Sequence, residues 1–192
     1  MKSLKNENLS LNISTKIYMK NKILLEAEEY LKVFKNQNCL IILDDFIKNN
    51  KNKLNYIKKS FKFIKKKTFI FNNNFEPTFT NLKEIKKNIN NNNKYGLIIV
   101  VGGGSTIDIG KGLSVIINYK GNIEKLQGAN KFNFKTIPVI TIPSIFGSGA
   151  EITPSAVFIN EKKKIKGGIN SELVQPKICL IDPYFSLSNN YK

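Results

Sequence analysis

The 192-residue sequence contains no histidine and no tryptophan, and all 31 of its basic residues are lysine. Without histidine the chain lacks the commonest protein ligand for a transition metal. Only two cysteines occur, Cys39 and Cys179, each inside an apolar run and with no Cys-x-x-Cys spacing. Neither a disulfide framework nor a zinc site can be assembled from them. No apolar run approaches the roughly 20 residues of a membrane-spanning helix, and the polar residues 1–8 do not resemble a secretory signal. The expectation is a cytoplasmic protein with no membrane partner.

The missing arginine decides how to read the formal net charge of +17. A basic chain suggests nucleic acid. Specific readers of bases, however, favour arginine for its bidentate contacts. Here lysine rises together with isoleucine and asparagine, including asparagine runs at 72–74 and 90–93. That bias is what A/T-rich codons impose, and the lysines scatter over predicted helix faces. No specific nucleic-acid partner is expected. The excess charge would help draw in an anionic cofactor.

What is present is an alternation of apolar strand-like runs with helical stretches. Strands are predicted at 12–18, 39–43, 68–71, 97–101, 137–142, 155–159 and 178–181. Helices are predicted at 22–34, 54–64, from 76–78 to about 89, and from 107 to about 117. Residues 161–166 read as an exposed lysine-rich turn. Apolar residues make up 41% of the chain, and the length suits one domain. The fold class expected is α/β: a doubly wound, mostly parallel, Rossmann-like sheet in a single domain over residues 1–192, with no internal repeat.

Two glycine loops carry the chemistry. The first, Gly102-Gly103-Gly104-Ser105-Thr106-Ile107-Asp108, follows the apolar run Leu97-Ile98-Ile99-Val100-Val101 and opens a helix. Glycines admit a pyrophosphate close to the backbone, and a helix N-terminus suits its charge. Ser105 adds a hydroxyl donor. The second loop, Thr141-Ile142-Pro143-Ser144-Ile145-Phe146-Gly147-Ser148-Gly149-Ala150-Glu151, again follows a strand. Thr141, Ser144 and Ser148 offer hydroxyls to a dinucleotide, or satisfy their own backbone. Gly147 and Gly149 allow close approach. Asp44 ends a strand, where a carboxylate can receive the adenosine ribose hydroxyls and repel a 2′-phosphate, or can cap the next helix. Asp108 reads as a first-turn acid on the helix dipole or as a cofactor contact. Lys111 carries the same ambiguity, with a solvated helix lysine as the alternative.

These segments resemble the iron-containing (group III) alcohol dehydrogenases. That family has a Gly-Gly-Gly-Ser-x-x-Asp-x-x-Lys element, matched here by Gly102 to Lys111, and a Thr-x-Pro-Thr-x-x-Gly-Thr-Gly-Ser-Glu element. Thr141 to Glu151 match the second, with Ser144 and Ser148 for threonines and Ala150 for serine. Lys166-Gly167-Gly168-Ile169-Asn170-Ser171 and the segment Pro176 to Pro183 resemble later parts of the same domain. The resemblance implies NAD as cofactor, a role for Lys166 near a cofactor ribose, and Phe71 and Pro77-Thr78 beside the adenine. Lys166 can equally be a solvated lysine. The Lys-x-Gly-x-Asn-Ser form is similar to members acting on sugar acids, such as the octulosonate 8-oxidase group. The 3-dehydroquinate synthase relatives share the architecture, but the match from Thr141 to Glu151 speaks against them. A family Phe-Gly is missing near Tyr18-Met19.

The resemblance also implies Fe²⁺ or Zn²⁺ held by an aspartate and three histidines of a second, helical domain, whose ligands are absent here. The expectation is the dinucleotide-binding portion of a metal-dependent alcohol dehydrogenase, inactive alone, with no catalytic or metal residues of its own. A small alcohol or sugar acid would be a substrate only if the missing domain were supplied. The alternative is a non-catalytic dinucleotide module or the partner subunit of a split enzyme. A homodimer is left open.

Overall fold

The computed structural model describes residues 13–64, 67–72, 76–89 and 94–186. The strands are β1 (Lys16–Met19), β2 (Asn38–Asp44), β3 (Lys67–Asn72), β4 (Tyr95–Gly102), β5 (Gly128–Ala129), β6 (Val139–Pro143), β7 (Ser155–Asn160), β8 (Ile165–Asn170) and β9 (Ile178–Ile181). The helices are α1 (Ala27–Leu31), α2 (Asp45–Asn49), α3 (Lys51–Ser60), α4 (Phe79–Asn88), α5 (Gly104–Ile116) and α6 (Pro183–Ser186). Six strands form a wholly parallel sheet in the order β1-β9-β6-β4-β2-β3. A small second sheet has the order β5-β8-β7.

The near-continuous apolar runs of β2, β4 and β6 follow from burial on both faces. On one face Leu40, Ile42, Ile98, Val100 and Val139 meet α4 and α5. On the other, Cys39, Ile41, Leu43, Leu97, Ile99, Val101, Ile140 and Ile142 meet the segments around α1 and α3. Successive residues thus point to opposite cores, as the period of two demands. Helices on both faces confirm the doubly wound class. The chain steps from β2 outward to β3, then returns to place β4 on β2's other side. The switch point therefore lies between the carboxyl ends of β2 and β4, where open α/β sheets bind ligands.

α5 lies close against this sheet. A Cβ on Gly110 would sit 2.2 Å from Val100 Cγ2. No side chain larger than hydrogen fits at that contact.

Several boundaries differ from the sequence expectation. The helix expected at 22–34 is three short pieces: 3₁₀ turns at Ile23–Glu26 and Lys32–Phe34 flank α1. Its inward residues are nevertheless as predicted, with Ile23, Ala27 and Leu31 buried and Tyr30 and Phe34 packed against them. Pro77 precedes α4 instead of entering its first turn. Thr78 is the N-cap and accepts from the Asn81 N–H at 3.0 Å. The lysine-rich turn at 161–166 is a turn only through residue 164. Ile165 and Lys166 already belong to β8, which pairs antiparallel with β7. Residues 73, 74 and 90–93 of the asparagine runs lie outside the described residues, as does the side chain of Phe71.

Candidate functional site

Asp44, the last residue of β2, joins three strand ends. Its Oδ1 accepts from the Ile47 N–H at 2.9 Å and so caps α2. Its Oδ2 accepts from the Gly103 N–H at 3.3 Å and from Ser144 Oγ at 3.1 Å. The Ser144 N–H also donates to the Gly102 carbonyl at 3.0 Å. Asp44, Gly102, Gly103 and Ser144 therefore form one junction at the ends of β2, β4 and β6. Burial raises the Asp44 carboxyl above its ordinary value, against the three hydrogen bonds, which lower it.

Gly103 is the N-cap of α5, in extended conformation and with no side chain to bond the first turn. Gly104 follows, and here glycine is required. A Cβ would lie 2.8 Å from Ser148 Oγ and 2.9 Å from its Cβ. The two loops thus meet face to face. Gly147 has φ +122°, a conformation that side chains rarely adopt. It lies at the exposed tip of the second loop, with nothing near the position of a Cβ.

Beside the junction a cleft of about 570 Å³ brings together Gly104, Ser105, Asp108, Ser148 and Lys166. Lys166 reaches across its mouth to Glu76 at 3.4 Å, with both side chains mostly exposed. Asp108 is only 9% exposed, and its Oδ1 has no hydrogen-bond partner among the described residues. Burial pushes its carboxyl up from 3.8 to about 6, although Lys111 and Lys166 pull it down. A buried acceptor without a partner, on a residue that lines a cleft, is the kind of group that needs an explanation. Asp108 is the fifth residue of α5, so the expected first-turn placement on the dipole does not hold.

Thr141 sits apart from the cleft. It is fully buried, and its hydroxyl donates to the Glu151 carbonyl at 2.9 Å. Lys111 is not a solvated lysine: it has no exposed surface, and its Nζ donates to the Ala150 carbonyl at 2.8 Å. Glu151, at the end of the second loop, stands in a turn that leads into β7. Thr153, Ser155 and Val157 also line the cleft. Sequence reasoning missed them because they follow the second loop with no motif of their own.

The profile of the family described as "Iron-containing alcohol dehydrogenase" matches residues 14–183. This chain belongs to that family. Over 86 residues it is 30% identical to the NAD-dependent methanol dehydrogenase of Bacillus methanolicus, a match covering 45% of this chain and 23% of that protein. A solved NADH-dependent butanol dehydrogenase A of Thermotoga maritima superposes with a TM-score of 0.81 at 25% identity, over 94% of this chain and 45% of that one. The sulfoacetaldehyde reductase of Bifidobacterium kashiwanohense, solved in complex with NAD⁺, gives 0.84 at 20% identity, over 96% and 48%. The chain thus spans about half of these solved relatives, and the methanol dehydrogenase match covers less than a quarter of that protein.

The iron of the family's name does not fit this chain. The sequence has no histidine, and among the described residues no group of three His, Cys, Asp or Glu side chains could hold a metal ion. No metal step is assigned to these residues. Among the described residues no helix is long and apolar enough to cross a membrane.

Proposed function

We propose that this chain binds NAD(H) across the carboxyl ends of β2, β4 and β6, as the cofactor-holding part of a dehydrogenase that moves hydride between an alcohol and its carbonyl product. The observation that carries the reading is the close approach of Gly104 to Ser148 beside Asp44, at the sheet's switch point. A Cβ at Gly104 would collide with Ser148, and Asp108, whose Oδ1 has no partner among the described residues, lines the adjoining cleft.

In this reading the backbone of Gly102, Gly103 and Gly104, with Ser105 and the start of α5, holds the pyrophosphate. Asp44 receives the adenosine ribose. About four acceptor positions exist on a carboxylate, and three are already used, so Asp44 takes one ribose hydroxyl unless Ser144 turns aside. Asp108 accepts from a donor on the cofactor, and Lys166 exchanges Glu76 for an oxygen of the ligand. Ser148 and Gly147 close over it from the second loop. Bound NAD would supply the hydride acceptor, and these residues would orient it.

The lack of histidine in the sequence, and of any metal-donor group among the described residues, favours one further reading, a dinucleotide module with no chemistry of its own. Calorimetric titration with NAD(H) and NADP(H), followed by assays with short alcohols and added Fe²⁺ or Zn²⁺, tests both. We expect NAD(H) to bind at least about tenfold tighter than NADP(H), as like charge at Asp44 predicts, and no NADH to form without a further metal-binding part. Equal affinities would overturn the role of Asp44. NADH formed by this chain alone would overturn the division of labour.

A further inference from the structure

We infer that Lys111 is a positioning residue that sets the height of the second loop above the first. This rests on the dinucleotide reading above, since the contact so fixed forms part of the rim of the cleft the cofactor would enter. Lys111 stands seven residues after Gly104 on α5, about 10 Å along the helix axis. Its Nζ bonds the Ala150 carbonyl at 2.8 Å and Thr153 Oγ1 at 3.4 Å. One rigid helix therefore supplies the floor of the first loop and grips the far end of the second.

The grip is passed on. The Ala150 N–H donates to Ser148 Oγ at 3.3 Å, and Ser148 is the residue facing Gly104. The near end of the loop is held by Ser144 on Asp44 and Gly102. Between these two attachments Ile145 and Phe146 lie exposed and the Gly147 position is open. The apex meets the first loop where Ser148 faces Gly104, and the attachments on either side set where that contact falls.

Placing an ammonium at 0% exposure needs compensation. Asp108 and Glu151 supply it as neighbouring carboxylates, while Lys166 acts on Asp108 from the far side of the cleft. Burial still pushes the Lys111 amine down to about 8. A lysine needed only for solubility would stand in water.

The test is residue-resolved amide exchange on the whole chain, with NAD(H) titration alongside. The variants are Lys111→Met combined with Glu151→Gln, which removes one charge of each sign, and Thr153→Val, which leaves the charges intact. The reporters are the amides of Ile152 and Thr153, which both bond the Gly149 carbonyl. We expect them to exchange about tenfold faster in the double variant and about threefold faster in Thr153→Val, with β2 and β4 amides unchanged. The NAD(H) dissociation constant should rise in parallel. Unchanged loop exchange, or equal acceleration everywhere, would overturn the inference. If the double variant does not fold, Thr153→Val decides by the same criterion. Faster loop exchange in a chain whose wild type binds no NAD(H) would support the tether and overturn the dinucleotide reading.

Discussion

At the scale of single residues, Asp44 shows why a choice between cap and ligand contact was too narrow. The carboxylate caps α2 and ties two loops together with its other oxygen. Replacing it with glycine removes the side-chain cap, which by itself costs only about a few tenths of a kcal/mol because glycine is a tolerable cap, and it also frees Gly103 and Ser144, which adds to that cost. Asp44→Gly should therefore lower the melting temperature and weaken NAD(H) binding as well as narrow the preference over NADP(H). Thermal scans beside calorimetry check this; a change in preference with no change in stability would count against the junction. Asp108 gives a pH signature. Its folded value of about 6 lies above the ordinary 3.8, so its contribution is present below pH 3.8 and lost as pH rises through 6. Asp108→Asn should remove a fall of about 1–3 kcal/mol across that window, read from urea midpoints at a series of pH values. Both carboxylates were visible in the sequence, as a strand end and a motif position. Lys111 was visible too, as the end of the same motif, but a solvated helix lysine stayed open as its alternative, because 31 lysines in 192 residues make any one of them look like surface. Only the packing of α5 against the second loop distinguishes it.

At the scale of elements, the central strands β2, β4 and β6 were legible because burial on both faces writes unbroken apolar runs, whereas the exposed edge strand β1 runs over Lys16–Met19 and not over 12–18. β8 was not: its Ile165-Lys166-Gly167-Gly168 start is charged and glycine-rich, and its partner supplies the pairing that its sequence does not announce. The stretch 22–34 has helical spacing, yet it breaks into three turns because tertiary packing, not propensity, sets how it runs over the sheet. α5 has the opposite character. It runs unbroken for 13 residues despite three glycines, Gly104, Gly110 and Gly112. Gly110→Ala would ordinarily help a helix by about 1 kcal/mol. Here the new methyl meets Val100, and overpacking of this kind costs about 1–3 kcal/mol. We expect net destabilisation in chemical denaturation, together with weaker NAD(H) binding as the start of α5 shifts.

At the scale of the whole molecule, the class of fold followed from alternation alone, while the position of the site needed the strand order, which no local pattern encodes. The net charge of +17 belongs to this scale too. It should speed the arrival of an anionic dinucleotide, so NADH association should slow steeply as salt rises. Stopped-flow fluorescence at several ionic strengths would show it, and a rate indifferent to salt would reduce the charge to coding bias. The strand order has a consequence for synthesis on the ribosome. Among the described residues β1 pairs with β9 alone, Lys16 opposite Ile178. At about 5–20 residues per second, β1 emerges and then waits roughly ten to thirty seconds before β9 is made. During that interval the N–H and C=O groups of β1 have no ladder to join, so what β9 brings is pairing and not cover: Ile17, Tyr18 and Met19 stay exposed in the finished fold.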